Sequence, residues 1–87
     1  MKHAIMRHKV ADFNKWKTTF DADRPNREKA GLKDQWVKRN EQDPSEVVMY
    51  YEVADRKRAE EFSHSPELQS KMKEAGVVGK PEIIFLN

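Results

Sequence analysis

One stretch of this chain is apolar enough to be buried on both of its sides. It is the run VVMYYEV over Val47–Val53, whose length suits a β-strand better than a helix. A strand with apolar residues on both faces belongs inside a sheet that is covered on both sides. The chain must therefore supply two covering layers for one central strand, or obtain one of them from a partner.

The rest of the chain offers little material for these layers. Of the 87 residues, 37% are charged, and Val, Ile, Leu and Phe together number only 17. The charges nearly cancel, at a formal net charge of +2, which favours a folded domain over a disordered chain. A domain of this size usually needs a disulfide, a metal or a partner for stability. Because the chain has no cysteine, we expect a partner.

Hydrophobic periodicity, capping residues and turn residues predict four strands and two helical regions. The segment Val77–Pro81 is predicted to be a loop, because it contains both Gly79 and Pro81. The remaining elements, in chain order, are a strand over Ala4–Val10, a helix capped by Asp12 with the apolar stripe Phe13, Trp16 and Phe20, a break at Arg24, a short helical piece over Asn26–Ala30, strands over Leu32–Arg39 and Val47–Val53, a helix capped by Asp55 and restarted by Ser65, and a last strand over Glu82–Leu86.

This order predicts a ferredoxin-like βαββαβ fold of the α+β class, in one domain over residues 1–87. The first and third strands are central in its four-stranded antiparallel sheet, and both helices lie on one face. On the other face, Ile5, Val48 and Tyr50 would be exposed, together with Ile83 and Phe85 or Ile84 and Leu86. A homodimer formed sheet to sheet would cover this patch, and we expect one.

Several other classes of protein are not expected. No apolar run reaches the roughly 18–20 residues of a membrane span, and the first residues lack a signal-peptide core, so we expect a cytoplasmic protein that does not bind membranes. Basic and acidic residues alternate along the chain and do not form one basic block. RNA-binding domains with the same order of strands and helices have aromatic residues on the first strand and glycines on the third, and this chain has neither. We therefore expect no binding of nucleic acid. No histidine pair has metal-ligand spacing, which predicts no metal site.

Three segments also resemble a known family. HKVADFNKW, DPSEVVMYYEV and SPELQSKMKEAGVVGKPEIIFL are similar to the small dimeric α/β-barrel proteins related to antibiotic-biosynthesis monooxygenases, a group in which some proteins are named as cyclases. The resemblance covers nearly the whole chain. It implies a dimer whose two sheets form a shared barrel, with a pocket between each sheet and its own helices. Enzymes of this kind oxidise or rearrange aromatic or polyketide-like compounds without a metal or flavin, so the resemblance implies no cofactor.

His8 is the candidate catalytic residue. If the face of the first strand with Ala4, Met6, His8 and Val10 turns towards the helices, its imidazole lies at the rim of the core and can act as a general base. The alternative is a structural histidine bonded to a backbone carbonyl or to Asp12.

Four other residues are candidates for binding a small aromatic or hydrophobic ligand. Trp16, Trp36 and Tyr51 could line an aromatic pocket, although the helical spacing of Trp16 also suits plain core packing. Arg27 lies seven residues after Phe20 and could hold a carboxylate or enolate at the pocket mouth, or could simply extend over the core. Two functions remain open: a cofactor-independent monooxygenase or cyclase, and a non-catalytic dimer that binds a hydrophobic ligand or serves a stress role.

Overall fold

The computed structural model describes residues 2–87, which form one antiparallel sheet with four helices on one of its faces. The first and third strands in chain order are central and the second and fourth lie at the edges, as predicted. The ferredoxin-like fold expected from the sequence is confirmed. In chain order the elements are β1 (Lys2–Val10), α1 (Phe13–Ala22), α2 (Arg24–Lys29), β2 (Leu32–Arg39), β3 (Glu46–Val53), α3 (Arg56–Ser63), α4 (Pro66–Glu74) and β4 (Val77–Leu86).

The predicted capping residues begin three of the helices. Asp12 accepts a hydrogen bond from the backbone N–H of Lys15 at 3.2 Å, and Asp55 accepts one from Arg58 at 3.0 Å. The hydroxyl of Ser65 accepts from the N–H of Leu68 at 3.2 Å. Each bond satisfies an N–H that has no partner within its own helix, which fixes where the chain turns from extended to helical.

Two predicted boundaries are wrong. The short helix α2 begins at Arg24 and not after the proline, because proline is tolerated within the first helical turn, where its missing N–H costs nothing. The predicted loop over Val77–Pro81 is part of β4, since Val77 and Val78 pair with Val10 and Lys9 of β1.

An irregularity in β4 allows its glycine and proline to lie within the strand. The register with β1 shifts between Arg7, which faces Glu82, and Lys9, which faces Val78, so that three residues of β4 lie opposite His8 alone. Gly79 in this bulge has φ +76°, a conformation that favours glycine. The edge position of β4 leaves room for a proline that cannot donate to the ladder.

A second bulge lies in the other edge strand, β2. Its register with β3 shifts between Asp34, which faces Tyr51, and Trp36, which faces Tyr50. The extra residue, Gln35, reverses the alternation of side chains, so Asp34 turns towards the helices and Trp36 turns away from them.

The core lies between the sheet and the helices. Its centre is formed by Val47, Met49 and Tyr51 of β3, with Ala4 and Met6 of β1 beside them. The opposite face of the sheet carries a continuous row of four large side chains across all four strands, formed in spatial order by Trp36, Tyr50, Ile5 and Ile84. Trp36 is 39% exposed and Ile84 is 49% exposed.

Candidate functional site

His8 lies on the helix-facing side of β1 and is only 6% exposed. Its ring meets the indole of Trp16 edge to face, with ring centroids 5.4 Å apart and an angle of 81° between the planes. Within residues 2–87, neither ring nitrogen of His8 has a hydrogen-bond partner. The imidazole is therefore held by packing alone, and both of its nitrogens are buried without a partner.

The surroundings of His8 keep its imidazole neutral. Burial lowers the pKa of His8 from 6.5 to about 4, because an apolar environment disfavours the charged form. A neutral imidazole can accept a proton at physiological pH. Within the described residues, the alternative of a structural histidine bonded to a backbone carbonyl or to Asp12 is not observed, since the Asp12 carboxylate caps α1 instead.

A row of stacked side chains extends from His8 into the core. Trp16 stacks on Phe20 with ring centroids 4.7 Å apart, and the guanidinium carbon of Arg27 lies 3.6 Å from the centroid of the Phe20 ring. The helical spacing of Trp16 and Phe20 on α1, continued by Arg27 on α2, puts the three side chains on one side of the helical layer. Their contacts leave only a recess of about 40 Å³, which suits a water molecule better than an aromatic ring.

Arg27 does not reach the mouth of a pocket, because its hydrogen bonds are made within the protein. Its Nε and Nη2 donate to the two carboxylate oxygens of Asp34 at 3.0 and 2.8 Å, and Nη1 donates to the carbonyl of Phe20 at 2.7 Å. Burial raises the pKa of Asp34, but the hydrogen bonds and charge of Arg27, with a contribution from Arg24, lower it below its usual value overall. The pair therefore remains ionised and joins α2 to β2.

The structure separates the three predicted aromatic residues. Tyr51 is 2% exposed at the centre of the sheet, and burial raises the pKa of its hydroxyl, with opposing effects of the Arg27 and Asp34 charges. Trp16 and Tyr51 lie on the helix side, whereas the bulge at Gln35 turns Trp36 to the opposite face. There its ring stacks on Tyr50 with centroids 5.2 Å apart. Trp36 is thus not brought together with His8, Trp16 and Tyr51.

A cavity lies under α4, a position that the sequence did not indicate. It has a volume of about 510 Å³ between α4 and the strands β1 and β4. No residue of α4 is buried, although its apolar Leu68 and Met72 face the sheet side. This volume is within the range in which proteins bind small organic molecules.

Residues of the β4 bulge and a neighbour of His8 on β1 line this cavity. Met6, two residues before His8 on the same face of β1, lines the cavity. Gly79, Lys80 and Glu82 line both the cavity and a smaller recess of about 290 Å³ that His8 borders. His8 itself is not among the residues that line the cavity, and both nitrogens of its ring are buried.

Neither a metal-binding cluster of side chains nor a helix suited to cross a membrane is found among residues 2–87. No group of three or more His, Asp or Glu side chains in this range is arranged to hold a metal ion. None of the helices in the same range combines the length and the apolar character that a membrane crossing needs.

The fold is the ferredoxin-like α+β fold that is found in solved structures of antibiotic biosynthesis monooxygenase-like proteins. No protein-family model matches the sequence, and a search of curated proteins finds no match either. Solved structures share the fold at low sequence identity.

Three of these structures span nearly all of the chain. A protein of Bordetella bronchiseptica, described as a candidate antibiotic biosynthesis monooxygenase, superposes with a TM-score of 0.76 at 14% identity, covering 99% of this chain and 94% of its own. A variant of SnoaB, a cofactor-independent oxygenase of Streptomyces nogalater, gives 0.70 at 11% identity, with 99% and 90% covered. An uncharacterized NIPSNAP domain protein of Burkholderia xenovorans gives 0.69 at 10% identity, with 100% and 93% covered. At such identities the similarity establishes the fold.

Proposed function

We propose that the protein is a homodimeric, cofactor-independent enzyme that oxidises or rearranges a small aromatic or polyketide-like compound, with His8 as its general base. The observation that carries this proposal is the buried imidazole without a hydrogen-bond partner, two residues from Met6 on the same face of β1, where Met6 lines a cavity of about 510 Å³. A buried polar group without a partner destabilises a protein by about 1–3 kcal/mol. A role in function would explain why such a group is retained at this position.

The environment of His8 suits proton abstraction from an activated phenol or enol. A free imidazole with a pKa of about 4 is a weak base, but proton transfer from a bound substrate would create an imidazolium next to an enolate. The two charges attract each other strongly in an apolar site, which offsets the cost of burying either one. Proton transfer to a positioned base contributes roughly 10²–10⁴-fold to a rate.

The electron-rich anion can then react with dioxygen. One oxygen atom enters the substrate, which loses two hydrogens, and the other oxygen atom leaves as water. The substrate supplies the electrons for this reduction, so the balance needs only substrate and dioxygen. The assigned activity of SnoaB, a cofactor-independent oxygenase on the same fold, supports this choice of chemistry.

The row of Trp36, Tyr50, Ile5 and Ile84 supports the homodimer. The accessible surface of the chain, 5827 Å², is about a tenth larger than the ~5,400 Å² typical of a monomer of this mass. Charged residues flank the row, including the Arg7–Glu82 ion pair at 3.3 Å. A two-fold axis through the row would pair it with itself and place the charged flanks at a polar rim.

A non-catalytic ligand-binding dimer is the second candidate. The observation in its favour is the Arg27–Asp34 pair, which removes the expected anchor for an enolate from the proposed catalytic site.

Oxygen consumption with anthrone tests the catalytic proposal. Anthrone is the keto form of an activated phenol, and its oxidation should yield one anthraquinone and one water for each dioxygen consumed. We expect His8→Leu to reduce this turnover by at least about 10²-fold. His3→Gln, which alters a histidine on the opposite face of β1, should retain it.

Two results would contradict the proposal. Turnover by His8→Leu within a factor of two of the unmodified protein would exclude His8 as the base. Binding of anthrone without any turnover would favour the ligand-binding candidate.

A further inference from the structure

The mouth of the cavity under α4 carries positive charge that the protein does not neutralise. Lys73 of α4 and Lys80 of β4 both line the cavity, and both are exposed. Within residues 2–87, neither lysine lies within ion-pair distance of a carboxylate. The acidic residue of the cavity wall, Glu82, is paired with Arg7 at 3.3 Å. Two lysines without a carboxylate partner among the described residues therefore line this cavity.

The interior of the same cavity is apolar. Its wall includes Met6 of β1, Met72 of α4 and Ile83 of β4. Methionine side chains are flexible, and their sulfur atoms make favourable contacts with aromatic rings. A flat aromatic body of two or three rings suits both the volume of about 510 Å³ and this lining.

From this juxtaposition we infer that the cavity binds an aromatic carboxylate, with its ring system on Met6, Met72 and Ile83 and its carboxylate between Lys73 and Lys80. The inference names the substrate class of the proposed enzyme and rests on the cavity being its substrate site. It also assigns the role of anion anchor to the two lysines, because the donors of Arg27 are used by Asp34 and Phe20.

The position of Lys80 depends on the bulge of β4. Lys80 follows Gly79, whose φ of +76° belongs to the distorted segment opposite His8. A carboxylate bound at Lys80 would thus hold the ring system at the distorted segment of β4.

Calorimetric titration with 2-naphthoate and 2-naphthamide, under argon, tests this inference. The two probes share their ring system and nearly their shape, but only the first is an anion. We expect 2-naphthoate to bind at least tenfold more tightly than 2-naphthamide at low ionic strength. Raising the salt concentration should weaken the binding of 2-naphthoate alone, because the two lysines are solvent-exposed.

Variants separate this site from a general charge effect. Lys73→Gln and Lys80→Gln should each weaken 2-naphthoate several-fold without changing the affinity for 2-naphthamide. Lys71→Gln is the matched control, since Lys71 lies on the same helix but lines other recesses. It should leave both affinities unchanged.

Each outcome distinguishes between the two proposals. Equal affinity for the two probes, absence of binding of either, or an equal loss in Lys71→Gln and Lys73→Gln would overturn the carboxylate site. Selective binding of 2-naphthoate that depends on Lys73 and Lys80 would support it even if anthrone were not oxidised, and in that case only the catalytic role of His8 would fail.

Discussion

The burial of His8 predicts a specific dependence of stability on pH. The pKa of its imidazole is about 4 in the folded protein and 6.5 in the unfolded chain. Between these values the unfolded chain binds a proton that the folded protein does not, so stability is lost as the pH falls below about 6.5. The loss reaches about 1.4 kcal/mol at pH 5.5 and about 3 kcal/mol near pH 4, relative to pH 8.

The substitution His8→Leu should remove this loss. Leucine has a similar size and no titrating group, so the unfolding free energy of the variant should not decline between pH 8 and about pH 5. At neutral pH the variant should be more stable by about 1 kcal/mol, because a buried polar group without a partner has been removed. The pKa values of Asp34 and Asp43 are also lowered, but carboxylates of this kind affect both proteins equally and at lower pH.

Urea unfolding followed by tryptophan fluorescence, at one protein concentration and several pH values, measures the difference. Met6→Leu is the matched control, since Met6 is a buried neighbour on the same face of β1 that does not titrate. It should keep the pH dependence of the unmodified protein. Parallel stability curves for the unmodified protein and His8→Leu between pH 8 and pH 5 would refute the neutral, unpartnered imidazole.

Two further predictions concern the ion pair and the open face of the sheet. Asp34→Ala should lower the unfolding free energy by about 3–5 kcal/mol in urea titrations, because it leaves the buried Arg27 charge without a partner, and the double variant Arg27→Met/Asp34→Leu should recover most of that loss. A loss below about 1 kcal/mol in the single variant would contradict the structural role of the pair. Ile84→Lys should convert a dimer into a folded monomer in sedimentation at micromolar concentration, whereas Lys57→Glu on α3 should not. A monomeric unmodified protein would contradict the proposed dimer.

The elements that the sequence predicted well are those determined by local chemistry. Asp12, Asp55 and Ser65 cap helices through bonds to residues three positions later, and such bonds can be anticipated from the sequence. The order of the strands followed from the number of elements and from the polar character of β2. His8 was placed on the helix side by simple alternation, which holds along β1.

The errors arise where alternation is interrupted. One extra residue at Gln35 moves Trp36 to the other face of the sheet, and nothing in the local sequence indicates a bulge there. Asp34 as the partner of Arg27 depends on tertiary packing between α2 and β2. The cavity under α4 results from incomplete packing of that helix on the sheet, and the pattern of residue types along the sequence does not predict such a gap.

Both bulges lie in the edge strands, β2 and β4, and this location limits how copies of the chain can associate. A regular edge strand exposes a row of N–H and C=O groups that can pair with the edge of another molecule and continue without end. The distortions at Gln35 and at Gly79 interrupt those rows, and Pro81 has no N–H to offer. Edge-to-edge growth into fibres is thereby disfavoured on both sides, whereas association through the sheet face closes after two copies. The same irregularities that reposition Trp36 and place Gly79 and Lys80 at the cavity therefore also favour a finite assembly over a filament.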